Sequence, residues 1–77
     1  MNADISIDIT GETCPMTFVR TKIALENMSR GQVLAVVLRG DEPAANVPRA
    51  VRDHGHEILE MRPMDDGRCR LLIRVAG

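Results

Sequence analysis

The sequence predicts an α+β two-layer sandwich with the element order β-α-β-α-β-β, in which two helices cover one face of a four-stranded mixed sheet. Residues 5–10 alternate between isoleucine and polar residues, residues 33–38 are apolar without a break, and residues 69–75 alternate again. A helical stretch joins the first two strands, which should therefore be parallel. All of residues 1–77 are expected to form one domain.

The first strand and first helix are predicted from their periodicities. Alternation should bury the three isoleucines of the strand, and Gly11 should end it. Residues 15–28 should form the helix, with Gly31 as its stop, because glycine readily adopts the left-handed conformation of a helix cap. The apolar residues expected on the buried helix face are Phe18, Val19, Ile23, Leu25 and Met28.

The second half of the chain supplies one helix and three strands. Residues 32–39 suit a central strand covered on both faces. Residues 40–43 break the pattern. Asn46 is expected to cap the second helix, which Val47 and Pro48 open and which ends at Gly55, with Val47 and Val51 buried.

A hairpin should close the chain. Its first strand spans residues 56–64, with Pro63 at an edge or leading into the turn, and Asp65, Asp66 and Gly67 form that turn. In the last strand Cys69, Leu71, Ile73 and Val75 should face the core. The opposite sheet face should carry Arg68, Arg70, Leu72 and Arg74.

The composition excludes several classes of protein. The net charge is −1 and only 1% of residues are aromatic, which argues against direct binding of nucleic acid. No apolar run approaches the roughly 20 residues of a membrane helix, and the N-terminus does not resemble a signal peptide, so we expect a cytoplasmic protein without membrane contact. Two distant cysteines without a C-x-x-C motif predict two thiols, with no metal site and no cofactor.

Cys14 is expected at the corner where the first strand gives way to the first helix. Pro15 suits the first helical position, where its missing N–H would be unpaired in any case. The free N–H groups of the first turn favour an anion, and a thiolate is one. An equally simple interpretation is that Cys14 is a small apolar residue that closes the corner.

These residues resemble the TusA (SirA-like) family of sulfur-carrier proteins over nearly the whole chain. The resemblance lies in Gly11, in the pair Cys14 and Pro15, and in the basic Arg20 and Lys22 on the first helix. Later landmarks follow in order: Gly31, Asp41, residues 46–48 and residues 55–57. The family fold is the two-layer sandwich predicted above, which also occurs in the C-terminal domain of translation initiation factor three.

The chain departs from the family motif Cys-Pro-x-Pro at one position. Thr17 stands where the second proline is expected, which restores a backbone N–H and loosens the first turn. This substitution leaves thiol chemistry intact but bears on the choice of partner, and it indicates a specialised branch of the family.

The resemblance implies that Cys14 carries a persulfide sulfur. A donor protein of the cysteine desulfurase or rhodanese type would supply the sulfur, and an acceptor sulfurtransferase would receive it. Pro15, Thr17, Arg20 and Lys22 would support the site. No Cys–His dyad occurs in the motif, so a relay is expected rather than a self-sufficient enzyme. The chain would act as a monomer or a weak homodimer.

Other functions and roles remain open at this point. The fold could serve as a non-catalytic regulatory module, or Cys14 and Cys69 could form a redox pair, although Cys69 also fits a buried inert thiol. Arg20 and Lys22 could be ordinary solvated charges. His54 and His56 could bind a metal, but their positions near element ends favour capping and surface roles. The three arginines of the last strand could be solvated or face a partner.

Overall fold

The computed structural model describes residues 3–12 and 16–76, and these form the predicted two-layer sandwich. The elements are β1 (Ile5–Asp8), α1 (Met16–Glu26), β2 (Val33–Arg39), α2 (Asp41–Asp53), β3 (Glu57–Pro63), a short 3-10 turn (Asp65–Gly67) and β4 (Arg68–Arg74). The strand order is β1-β2-β4-β3, in which β1 is parallel to β2 and the other pairs are antiparallel. The predicted fold class is therefore confirmed.

The core lies between the two helices and the inner face of the sheet. The pairing of β2 with β4 sets Leu34 opposite Ile73 and Val36 opposite Leu71, and all four side chains are fully buried. Burial of each such side chain contributes about 1.5–3 kcal/mol. The helices cover this face with Leu25, Val47 and Val51.

The outer face of the sheet carries the other residues of the central strands. Ala35 lies opposite Leu72, and Val37 lies opposite Arg70. The predicted arginine face is present, but Leu72 within it is only 1% exposed. Leu72 therefore offers no exposed apolar contact for the homodimer that the sequence left open.

The first strand is shorter than predicted. It ends at Asp8 because that carboxylate accepts hydrogen bonds from the backbone N–H of Thr10 (2.9 Å) and from its hydroxyl (2.7 Å), which turns the chain before Gly11 is reached. The expected inward isoleucine row holds only in part. Ile9 is buried, whereas Ile5, the first residue of the edge strand β1, is 42% exposed.

The buried face of α1 matches the prediction at Leu25 but not at Ile23. Thr17, Thr21 and Leu25 are its buried residues, one helical turn apart, whereas Ile23 is 52% exposed. The prediction left the threonines out because a buried hydroxyl is unfavourable unless it has a hydrogen-bond partner. Thr21 finds one by donating a 2.8 Å hydrogen bond to the carbonyl of Thr17.

The end of α1 also precedes the predicted stop. The helix ends at Glu26, and the side-chain amide of Asn27 just beyond it donates to the carbonyl of Ile23 at 3.0 Å. Gly31 does adopt a left-handed conformation, with φ of 91°, but it lies in the turn that enters β2. Its N–H donates to the carbonyl of Val75 at 2.8 Å.

The second helix starts at Asp41, and the predicted N-cap at Asn46 is wrong because the helix begins five residues earlier. Pro43 occupies the first turn, where its missing N–H costs no helical hydrogen bond, while Pro48 lies inside the helix. Acidic Asp41 and Glu42 in the first turn complement the positive end of the helix. The predicted burial of the two valines on this helix is confirmed.

The closing hairpin follows the prediction closely. Pro63 ends β3, which is an edge strand, and the turn that follows contains Asp66 in a left-handed conformation with φ of 62°. A bulge between Ile58 and Glu60 shifts the pairing of β3 with β4. The predicted inward residues of β4, including Cys69, are buried.

Replacement of Gly40 by alanine should lower the free energy of unfolding by about 1–3 kcal/mol, because its backbone occupies a region almost restricted to glycine. Gly40 immediately precedes α2 with φ of 103° and ψ of 154°. An added Cβ would also lie 3.4 Å from the Pro43 ring. Gly11→Ala is the control, since a Cβ there meets no atom of the described residues within 4 Å. Urea unfolding of both variants gives the comparison, and equal stabilities would contradict the assigned start of α2.

Candidate functional site

The candidate site is the connection between β1 and α1. The sequence motif places Cys14 and Pro15 in this connection, and both lie outside the residues that the structure describes. The site is therefore built from its two flanks, which are Ile9 to Glu12 on one side and the first turns of α1 on the other. Glu12 is held in a turn, since its N–H donates to the carbonyl of Ile9 at 3.0 Å.

An ion pair joins the two flanks. The guanidinium Nη2 of Arg20 on α1 lies 3.3 Å from Oε1 of Glu12, so the pair links the residues before and after the motif. The Arg20 side chain is 58% exposed, and an exposed pair of this kind contributes about 0–1 kcal/mol. The ion pair therefore adds little stability. Its main effect is to hold the loop that precedes Cys14 against the helix that follows it.

Thr17 anchors the first turn of α1 in the core. Its side chain is 2% exposed, and its carbonyl accepts the hydroxyl of Thr21. As the second residue of the helix it has a backbone N–H without an intrahelical acceptor. The replacement of the motif proline by threonine thus falls where the helix does not need that N–H.

Arg20 and Lys22 do not form one basic surface. Arg20 borders a groove of about 440 Å³ between β1 and α1, together with Ile7, Asp8, Ile9, Glu12, Ile23 and Ala24. Lys22 borders a separate cleft of about 130 Å³ with Phe18 and His54. Two residues apart on a helix point in different directions, so each would act on its own.

The two histidines have structural partners. His54 follows α2 and donates from Nδ1 to the carbonyl of Ala50 at 2.9 Å, with its ring 5.3 Å from that of Phe18. His56 accepts the N–H of Ala76 at Nδ1, at 3.2 Å. These contacts match the capping and surface roles. Within residues 3–12 and 16–76, no three His, Cys, Asp or Glu side chains are grouped to hold a metal ion.

Cys69 has the surroundings of an inert thiol. It lies opposite Leu38 on the inner face of the sheet and is 7% exposed. Burial raises the pKa of the Cys69 thiol, so its reactive thiolate is disfavoured near neutral pH.

The loop that leads from β1 towards the Cys-Pro motif, residues 9–12, is called the motif loop, and it begins at one end of the sheet. Arginines lie at the same end, and the sequence did not connect them to the loop. Because β1 and β2 are parallel, the loop after Asp8 leaves beside the last residues of β2, of which Arg39 is the end. Arg39 lies opposite Arg68 of β4, and Arg62 of β3 lies opposite Arg70. The alternation of β4 predicted its own arginines, but only the strand register brings Arg39 and Arg62 to them.

Known proteins resemble this chain in sequence and in fold. The family model described as Sulfurtransferase TusA matches residues 5–75. A proposed sulfur carrier protein of Archaeoglobus fulgidus is 36% identical over 74 residues, which cover 96% of this chain and 84% of the relative. The proposed sulfur carrier protein YedF of Escherichia coli strain K12 is 32% identical over 71 residues, which cover 92% and 91% of the two chains.

A solved structure has the same architecture. The SirA-like protein of Desulfitobacterium hafniense superposes with a TM-score of 0.81 at 28% identity, and the match covers 95% of this chain and 99% of the other. The fold and the motif define a small α+β protein of the SirA-like class. The chain belongs to the TusA family, as its resemblance indicated. In the described part of the chain, no helix is long and apolar enough to cross a membrane.

Thr17→Pro, which restores the family motif, should change the thermal midpoint by only a few degrees. The substituted N–H has no intrahelical acceptor at this position, and the carbonyl that binds Thr21 is retained. Thr17→Val is the matched control, because it removes the hydroxyl but keeps the N–H and the shape. A loss of several kcal/mol in the proline variant alone would show that the Thr17 N–H is engaged. An equal loss in both would identify the hydroxyl.

Proposed function

We propose that this protein is a sulfur carrier that accepts a persulfide on Cys14 from a donor protein and passes its sulfur to an acceptor. The observation that carries the proposal is a TusA-family chain in which the family's Cys-Pro pair directly precedes α1. Residues 1–77 would act as a single sulfur-carrier domain. A persulfide relay of this kind fits the cytoplasm, where thiols stay reduced.

The transfer is a thiol exchange in two displacements. The Cys14 thiolate attacks the terminal sulfur of the donor persulfide, a new S–S bond forms, and the donor leaves as a thiolate. An acceptor thiolate then attacks the terminal sulfur of the Cys14 persulfide. The sulfur stays on the acceptor, and Cys14 leaves as a thiolate. The electrons balance without an external oxidant or reductant, so the relay requires no cofactor.

The supporting residues make the Cys14 thiolate available at neutral pH. Pro15 adjoins Met16, the first residue of α1, and its fixed φ suits a helix start. Unpaired N–H groups at such a start stabilise an anion by about 0.3–1 kcal/mol, and up to about 2 in good geometry. The pKa of the Cys14 thiol would therefore fall below its usual range, and a modest fall leaves the thiolate nucleophilic.

The partners would be a cysteine desulfurase or rhodanese-type donor and a sulfurtransferase acceptor. Both must reach the same thiol in turn, so the docking surfaces should lie around the β1–α1 connection. Arg20 supports this role through its pair with Glu12, and Lys22 contributes a charge on the other side of α1.

Cys14→Ser should abolish persulfide loading, because an alcohol cannot carry the sulfur. Cys69→Ala should retain loading and lose about 1 kcal/mol of stability, since it removes only a buried thiol from the core. Each variant would be incubated with a persulfide-loaded desulfurase or a thiosulfate-loaded rhodanese and weighed intact, with and without reductant.

Two results of this mass measurement would count against the proposal. Reductant-sensitive addition of one sulfur atom to the Cys14→Ser protein would reject Cys14 as the carrier. Loss of loading in both variants, together with an internal disulfide in the wild type, would favour a redox pair of Cys14 and Cys69.

Reversal of both helix charges, Arg20→Glu with Lys22→Glu, should slow protein-to-protein transfer severalfold and affect stability little. Both residues are exposed, and charges at the rim of an interface mainly alter the association rate. The slowing should diminish as ionic strength rises. Arg49→Glu with Arg52→Glu on α2 is the matched control, because those residues are also exposed. Unchanged transfer rates would return Arg20 and Lys22 to the class of solvated charges.

A charge swap would separate the two roles of Arg20. In Glu12→Arg with Arg20→Glu, the ion pair across the motif is restored with opposite polarity. Recovery of transfer relative to Arg20→Glu alone would show that the pair positions the loop. A transfer rate that stays low would assign Arg20 to recognition of the partner.

A further inference from the structure

Four arginines on the outer face of the sheet form two cross-strand pairs of like charge. Arg39 at the end of β2 lies opposite Arg68 of β4, and Arg62 of β3 lies opposite Arg70 of β4. We refer to these four residues as the arginine cluster. Like charges directly opposite each other destabilise a sheet, so these two pairs should lower the stability of the fold.

Few carboxylates offset this charge. Among the described residues, the ion pairs on the sheet join Arg74 to Glu57 and Arg62 to Glu60, the latter at 3.1 Å. Within the same part of the chain, Arg39, Arg68 and Arg70 have no carboxylate within 4.0 Å. Arg68 donates from Nε to a backbone carbonyl, that of Asp65, at 3.2 Å.

Asp8 on β1 is an acidic residue that interacts electrostatically with the arginine cluster. Hydrogen bonds from the N–H and hydroxyl of Thr10 lower the pKa of the Asp8 carboxyl, and the charges of Arg68 and Arg39 lower it further. The carboxylate is thus already engaged by Thr10 and supplies one charge against several. The cluster keeps an excess of positive charge on this face.

The cluster lies at the end of the sheet that carries the motif loop. Asp8, the last residue of β1, pairs with Val37, which in turn pairs with Arg70. The chain leaves β1 at this level towards Cys14, whereas the neutralised Arg74 lies at the opposite end of β4. The unbalanced charge is therefore concentrated near the proposed sulfur site.

We propose that the arginine cluster docks an acidic surface of a partner protein that exchanges sulfur with Cys14, which rests on the proposed function. Guanidinium groups match carboxylates in bidentate geometry, and neighbouring strands set the arginines about 5 Å apart across the sheet, close enough to engage one acidic patch. A nucleic acid fits less well. The chain has a net charge of −1, and its single aromatic side chain, Phe18, lies on α1 in the other layer.

The test is an NMR titration of the ¹⁵N-labelled protein with a short oligoglutamate peptide at low ionic strength. Amide and arginine Nε signals of the cluster should shift, and added salt should weaken the binding. Arg68→Glu with Arg70→Glu should weaken it about tenfold or more, whereas the α2 control, Arg49→Glu with Arg52→Glu, should leave it unchanged. Arg39→Glu is a second variant with the same expected direction, and it removes one like-charge pair at the exposed end of a strand.

Several outcomes would overturn the proposal. Equal weakening by the α2 control, or shifts spread over all basic residues, would show unspecific attraction. Stronger binding of an RNA oligonucleotide of equal charge at the same residues would make nucleic acid the occupant. Absence of shifts in the cluster at low salt would remove the docking surface altogether.

A chemical sulfur donor separates this proposal from the proposed function. Inorganic polysulfide transfers sulfur to a thiolate by displacement of a shorter polysulfide, and it needs no docking surface. The Arg68→Glu, Arg70→Glu variant should therefore load Cys14 from polysulfide at the wild-type rate. A wild-type protein that binds oligoglutamate at the cluster but takes no sulfur would refute the carrier function and leave the docking surface standing.

Discussion

The antiparallel pairing of β2 with β4 is the interaction on which the rest of the structure depends. Its register turns one face of both strands, including Leu34, Leu71 and Ile73, towards the helices. The same register turns Arg39, Arg68 and Arg70 outward. A slip of one residue would exchange the two faces of a strand and bring arginines into the core. Since an unpaired buried charge costs several kcal/mol, the outward arginines exclude the wrong register as firmly as the inward apolar residues favour the right one.

This register also determines which parts of the chain meet at one end of the sheet. The parallel pairing of β1 with β2 requires α1 as a crossover, so the motif loop begins where β2 ends. The antiparallel partner β4 begins at that same end with Arg68. At the other end, the Arg74–Glu57 pair balances its own charge. The sheet is thus electrically asymmetric along its strands, with the excess charge at the end that bears the motif.

Local pattern predicted the elements whose determinants are local. The apolar run of β2, the alternation of β4 and the turn at Asp66 each follow from a few consecutive residues. The start of α2 was missed because both Pro43 and Pro48 suit a first helical turn, and the local pattern does not show that Pro48 lies inside the helix. The buried threonines of α1 were missed because threonine is polar, and an apolar pattern does not show that the Thr21 hydroxyl is satisfied by the Thr17 carbonyl. At the candidate site, the motif located Cys14, but the Glu12–Arg20 pair depends on how the crossover folds back.

A carrier that serves two partners needs contacts that form quickly and do not last. Extensive apolar burial would give a long-lived complex, whereas exposed charges raise the association rate and contribute little to residence time. Exposed charges of this kind lie near the β1–α1 connection, at Arg20 on α1 and at Arg39 at the end of β2, although Ile23 in the groove beside Arg20 is exposed as well. In the proposed relay, a sulfur bound by one exchangeable S–S bond would pass at each encounter according to the relative reactivity of the two thiols. Selection of the partner by charge and control of the transfer by thiol chemistry would then be separate properties, the first carried by the sheet face and α1 and the second by Cys14.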